Sequence, residues 1–215
     1  MRTQRQRVEE STQRLLAAAV DLIAERGYSR TTAKDIGLRA GYSRAMVAER
    51  FGDKEALLDS VLEQYYEDRL KVDVAEHASG LDAVLSPLEA FAHYARTDPQ
   101  GFRAMLVLNF EATHEAEVLR ERVRSRLEQF RERMASAIDS GIGDGSIRTD
   151  VDARQMAADI LASGIGIAYC GLVIPTAEDL ATSFEQLRDR LRNSLSPVSS
   201  RSSEPRVSPE AAKSK

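Results

Sequence analysis

A chain of 215 residues with 42% apolar and 30% charged side chains has the makeup of a folded globular protein, with room for one large domain or two small ones. Its single cysteine, Cys170, excludes an internal disulfide and a cysteine-based zinc site, and suits a reducing compartment. The formal net charge of −4 argues against nucleic acid only until it is divided: residues 1–50 carry a surplus of +4, leaving −8 on the remainder. A basic front on an acidic body suits phosphate binding at one end, because the acidic bulk can face away from a duplex.

Met1–Arg7 has no apolar periodicity and groups Arg2, Arg5 and Arg7, which predicts a mobile arm able to touch phosphates or a minor groove. It lacks the apolar segment of a signal peptide. The first helix is expected from Val8 or Glu9, with Leu15, Ala19, Leu22 and Ile23 on one side and Gly27 as its stop.

From Thr32 to Phe51 the chain carries its most informative stretch. Ile36, Ala40, Val47 and Phe51 give two short amphipathic helices a shared apolar side, with the break at Ala40-Gly41-Tyr42. That is the pattern of a helix-turn-helix. Thr32 is placed to cap the first helix, with Asp35 near its positive end, and Ser43 to cap the second. Gly41 stands where the turn needs a positive φ. The second helix, Arg44–Arg50, would be about 10 Å long, and its N-terminal half fits a major groove about 12 Å wide. Its exposed positions are Arg44, Ala45, Met46, Glu49 and Arg50, which makes it the expected DNA-reading element. Arg44, at the helix start, is the candidate for bidentate recognition of a guanine edge, with Tyr42, Thr32, Arg50 and Lys54 positioning the backbone.

Thr32, Ile36, Ala40-Gly41, Ser43, Phe51, Lys54-Glu55 and Leu57, preceded by Glu25-Arg26-Gly27-Tyr28, resemble as a set the N-terminal signature of the TetR family of bacterial transcriptional regulators over about residues 8–60. The resemblance implies an all-α fold of about nine helices in total. In it, a three-helix DNA-binding domain (with the arm, residues 1–52) precedes a larger helical domain (53–194) for effector binding and dimerisation. It also implies a homodimer on a palindromic double-stranded operator, a small-molecule effector, and a phosphate contact from Lys54. Two positions depart from the pattern: Ala48 replaces the usual phosphate-contacting tyrosine, and Gly37 the usual alanine.

After Gly52-Asp53 a fourth helix is expected from Lys54 to about Val74, with Leu57, Leu58, Val61, Leu62 and Tyr65 on one side. Ser79-Gly80 marks a break before helices at about Leu81–Thr97, where Pro87 should kink or restart the chain, and Pro99 to about Thr113. A long charged helix from about Ala116 to Ser140 has Leu119, Val123, Leu127, Phe130, Met134 and Ile138 as its stripe. Its arginines between Arg120 and Arg133 alternate with Glu121, Glu128 and Glu132, as on a solvated face of paired charges. Gly141–Ser146 reads as a loop, without the order of a nucleotide-binding glycine motif.

Asp152 should open the next helix, which runs to about Ile174 before Pro175. Its longest uncharged run, Ile160–Ile174, is 15 residues, short of the roughly 20 that span a bilayer, so no membrane segment and a cytoplasmic location are expected. Gly164, Ala168 and Gly171 form a small-residue face. With Leu180, Phe184, Leu187 and Leu191 of a last helix from Thr176 to about Asn193, they are the candidates for an isologous four-helix dimer interface, packing within the monomer being the alternative. Leu195–Lys215, rich in Ser and Pro, reads as a disordered tail.

Aromatic and Met density in the middle helices nominates Phe91, Tyr94, Phe102, Met105, Asn109, Phe130, Met134 and Tyr169 as the lining of an effector pocket, expected to take a small apolar or aromatic ligand. A repressor released by such a ligand is the expected function, with an activator of the same fold as alternative. A metal-dependent helical-bundle enzyme is the competing class, because Glu111 and His114 form one Glu-x-x-His. A second copy is missing, and His77, His93 and His114 are isolated, so no metal, cofactor or catalytic residue is expected.

Overall fold

The computed structural model describes residues 3–64, 76, 78–114, 117–174 and 179–197. Among them are nine α-helices and no strand. Helix α1 spans Gln4–Arg26, four residues earlier than the apolar periodicity suggests. The cause is a reciprocal cap: the Gln6 amide donates to Thr3 Oγ1 at 3.2 Å and the Thr3 amide to Gln6 Oε1 at 2.9 Å. Arg5 and Arg7 are therefore helical and not part of a loose arm. Leu15, Ala19, Leu22 and Ile23 are buried, and Gly27, at φ 87°, ends the helix.

α2 (Ala33–Ala40) and α3 (Arg44–Phe51) follow, packed through Ile36 and Val47, and α4 starts at Lys54 and runs to Leu62. Its expected extension to Val74, with Tyr65, lies outside the described residues. α5 (Gly80–Thr97) begins under a Ser79 cap and runs through Pro87 without a break. Proline has no N–H for the carbonyl one turn back, and the Ser86 hydroxyl donates to that Ala83 oxygen instead, at 3.0 Å. α6 is Pro99–Glu111, capped by Asp98.

α7 (Glu117–Asp144) outruns its expected end, because Gly141 and Gly143 are helical. Gly141 serves close packing: a Cβ on Gly80 would lie 2.2 Å from the Gly141 nitrogen, so the start of α5 crosses α7 backbone to backbone. The loop begins only at Gly145, φ 79°. α8 is Ala153–Val173, capped by Asp152, and α9 is Leu180–Leu195. Leu195, expected to open the tail, is instead fully buried, and its carbonyl accepts from the Arg148 amide at 2.9 Å.

α6 lies along α1, while α5 packs on α7 and α9, and α8 closes over α7. The buried side chains form one continuous core through both halves. Its centre is an aromatic cluster: Phe184 stacks on Phe91 with centroids 5.0 Å apart and meets Phe102 edge-on at 5.8 Å.

Candidate nucleic-acid interface

Thr32 and Asp35 form a capping box at the front of α2: the Asp35 amide donates to Thr32 Oγ1, and the Thr32 amide to Asp35 Oδ2, both at 3.2 Å. The Thr32 hydroxyl hydrogen bond, ahead of the Arg26 guanidinium, holds the Asp35 carboxyl below the usual carboxylate range. Gly41 takes the left-handed conformation, φ 79° and ψ 25°, and its amide and that of Tyr42 close the end of α2 on the Leu38 and Gly37 carbonyls. Gly37 is buried, and a Cβ there would lie 2.8 Å from the Ser43 carbonyl oxygen, so the departure from alanine lets the two helices meet more closely. Ser43 has the extended backbone of a cap residue, but its hydroxyl makes no capping bond, contrary to expectation.

Arg44, Ala45, Ala48 and Glu49 of α3 are exposed, Met46 is half-buried and Val47 is buried. Arg44 has no partner among the described residues. Arg50 is differently placed: its Nε–H donates to Ser11 Oγ at 2.9 Å and it pairs with Glu49 at 2.7 Å. It braces α3 against α1, which occupies the guanidinium expected to position a phosphate. Tyr42 packs half-buried on the core.

Lys54 sits at the opening of α4. Its ammonium donates to the Tyr28 carbonyl at 2.7 Å and lies 3.9 Å from the centre of the Tyr28 ring. Burial, then Glu55, pushes the Tyr28 hydroxyl up to about 12, so that ring stays neutral at any physiological pH. The Tyr28 amide is held from the other side: it donates to Glu111 Oε2, at the end of α6, at 2.6 Å. A Cβ on Gly27 would fall 2.1 Å from Glu111 Oε1. Close by, Arg103 Nε–H donates to the Ala24 carbonyl at 3.1 Å, and Arg122 of α7 forks onto Asp59 of α4 at 2.6 and 3.2 Å. The C-terminal helices therefore grip the reading unit at Ala24, Tyr28 and Asp59. Nothing local in the sequence signals this: Glu111 lies 83 residues from Tyr28 and looks there like half of a metal motif.

The nominated effector residues do not line one cavity. Asn109 borders an open groove of about 300 Å³ between α6, α7 and α8, and Tyr169, beside Phe110, borders another of about 320 Å³ between α6 and α8. Phe91 and Phe130 meet at a void of only about 30 Å³. Phe102, Met105 and Met134 are core, and Tyr94 is half-buried against His93. The nominated dimer face is turned inward. Phe184, Leu187, Gly164 and Ala168 are buried within the chain, Leu180 and Leu191 pack on its core, and a Cβ on Gly171 would meet the Leu180 side chain at 2.6 Å. Left outside are Tyr169, Leu172, Val173 and Ile174, at 36–57% exposure.

A family model described as "Bacterial regulatory proteins, tetR family" matches residues 15–61, and one described as "Tetracyclin repressor-like, C-terminal domain" matches residues 80–173. The chain belongs to the TetR family. The HTH-type transcriptional repressor KstR2 of Rhodococcus jostii is 33% identical over 147 residues, 64% of this chain and 68% of that protein. A TetR transcriptional regulator from Chloroflexus aurantiacus is 28% identical with a TM-score of 0.70, covering 87% of this chain and 94% of the other. SmeT, the repressor of a Stenotrophomonas maltophilia efflux pump, superposes in its triclosan complex at TM-score 0.74 and 22% identity, over 88% and 93% of the two chains.

These relatives are TetR-family transcriptional regulators, not enzymes. Glu111 is spent on the Tyr28 amide, no group of three or more potential ligands that could hold a metal occurs among the described residues, and His77 lies outside them. α8 is long and apolar enough to cross a bilayer by length and composition alone, but TetR proteins are soluble DNA-binding proteins and α8 packs here on α7 and α9.

Proposed function

We propose that this TetR-family regulator is a cytoplasmic homodimeric repressor that holds a palindromic operator and lets it go when a small organic molecule binds its C-terminal helices. The supporting observation is the Glu111–Tyr28–Lys54 chain of contacts, which ties the last turn of α6 to the lysine that opens α4, the family's phosphate-contact position. A change of α6 on ligand binding would be felt at the DNA-facing surface. Division of labour follows the Gly52-Asp53 turn: residues 1–52 read DNA, and 53–194 bind effector and dimerise. The relative named as a repressor and the triclosan-bound SmeT structure support repression and small-molecule binding in this fold.

Arg44 reads a base edge, helped by Ala45 and Glu49, while Thr32, Tyr42, Ser43 and Lys54 position the backbone. Genome-wide footprinting should recover a symmetric site whose half-sites lie about 34 Å apart, or a multiple of that. Arg44→Ala should cost about 1–3 kcal/mol and relax preference at one base pair per half-site. Lys54→Ala should weaken all sequences alike and reduce the salt slope. Binding without sequence preference in the wild type would overturn the reading.

A further inference from the structure

The arginines of α7 divide by what they touch. Arg122 is locked onto α4, and Arg124 is neutralised by Glu121 and Glu128 of its own helix. Arg131 has no partner among the described residues, and Arg120 uses only its Nε–H there, on the Ala112 carbonyl at 3.2 Å. Both border the groove of about 300 Å³ between α6, α7 and α8. Positions 120 and 131 are three helical turns apart, so the two side chains project from nearly the same face of α7, about 16 Å from each other along its axis. Between them the groove is floored by Ala112, Val123, Leu127 and Leu161. Leu161 also borders the small void where Phe91 and Phe130 meet across Gly164. Apolar floor and spare guanidinium are thus adjacent, and the only acidic side chain bordering the groove, Glu128, is paired with Arg124.

From this juxtaposition we infer that the groove is a binding site for an organic anion, with an apolar body lying on Val123, Leu127 and Leu161 and a carboxylate or phosphate head taken by Arg120 or Arg131. The inference rests on the proposal that the C-terminal helices bind the effector, and names its chemical class. A guanidinium fork accepts two oxygens of such a head at once, which a neutral ligand of the same shape cannot offer. The volume stands at the low end of small-molecule sites, about 300–1,000 Å³, so the body is of medium length.

Calorimetric titration of the full chain with octanoate, octyl phosphate and octanol tests this. At low salt one or both anions should bind at least about tenfold more tightly than octanol, with the gap narrowing as salt is added, and the tighter anion identifies the head group. In an Arg120→Gln/Arg131→Gln variant the anions should fall to the level of octanol, Arg131→Lys should recover part of the loss, and thermal unfolding should be unchanged because both side chains lie at the surface. Leu161→Trp should block all three ligands. Equal binding of octanol and the anions, no binding of any, or an unaltered double variant would overturn the inference. Operator gel shifts run alongside separate the two ideas. Intact operator binding with no anion preference removes the site and leaves the regulator, whereas anion binding that never releases the operator keeps the site and removes its role as effector pocket.

Discussion

A methyl group at position 37 would stand 2.8 Å from the carbonyl oxygen of Ser43 and 3.1 Å from the amide nitrogen of Arg44, both backbone atoms that cannot rotate away. Relatives with alanine there must hold the two helices further apart, so the angle at which α3 is presented depends on this one missing carbon. Gly37→Ala should therefore destabilise the chain by about 1–3 kcal/mol through overpacking and weaken operator binding beyond that loss, since Arg44 is the next residue to move. Thermal unfolding together with gel shifts at a temperature where the variant is folded would check it. Unchanged operator affinity would show that α3 tolerates the shift. Arg50 offers the complementary lesson. Its spacing places it among the DNA-facing side chains, but a long side chain can turn back, and here it reaches Ser11 on α1.

Two contacts between elements set the positions of whole helices. At the first, the Glu111 carboxylate accepts the Tyr28 amide; Glu111→Ala removes the acceptor and should cost about 1–3 kcal/mol in unfolding experiments. The same variant should bind operator but respond less to any releasing ligand, and an undiminished response would break the proposed link. At the second, Asp144 accepts from the Gly80 amide at 2.7 Å and the Ser146 amide at 2.8 Å, joining the end of α7 to the start of α5. The Ser146 hydrogen bonds, with that from Gly80, hold its carboxyl below the ordinary aspartate range. A lowered folded-state value means that the stabilisation is complete above that range and disappears as pH falls through the folded value. Wild type should thus melt above Asp144→Ala at pH 7, and the difference should close in strong acid. Local chemistry made much of this scaffold legible: the Thr32, Ser79 and Asp152 caps, the Gly27 and Gly41 stops, and the stripes of α1 and α7 all announce themselves within a few residues. Glu111 on Tyr28, Arg122 on Asp59 and Gly80 against Gly141 could not be read, because each joins positions more than sixty residues apart and depends on how helices cross. The same limit scattered the effector candidates, since aromatic density alone does not distinguish a pocket lining from the Phe91–Phe102–Phe184 core.

For the molecule as a whole, the outer end of α8 decides how reading units are paired. Tyr169, Leu172, Val173 and Ile174 leave an apolar surface beside Phe110 that a lone chain exposes to water at a cost of about 25 cal/mol per Å². A symmetric homodimer covers such a patch with its own copy, and places two copies of α3 at a fixed separation. Once one unit is seated on a half-site, the second binds as though at high local concentration, so operator affinity depends on the pairing as much as on Arg44. Leu172→Asp/Val173→Asp puts two carboxylates on this surface without touching the inward-facing Gly164 and Ala168. Sedimentation should then show a folded monomer where the wild type is a dimer, and the operator affinity of the variant should fall towards that for a single half-site, a loss of about 10²-fold or more. A variant that still sediments as a dimer would move the interface to another face, the outward side of α9 being the next to test. A monomer that kept full operator affinity would mean that pairing plays no part in DNA recognition.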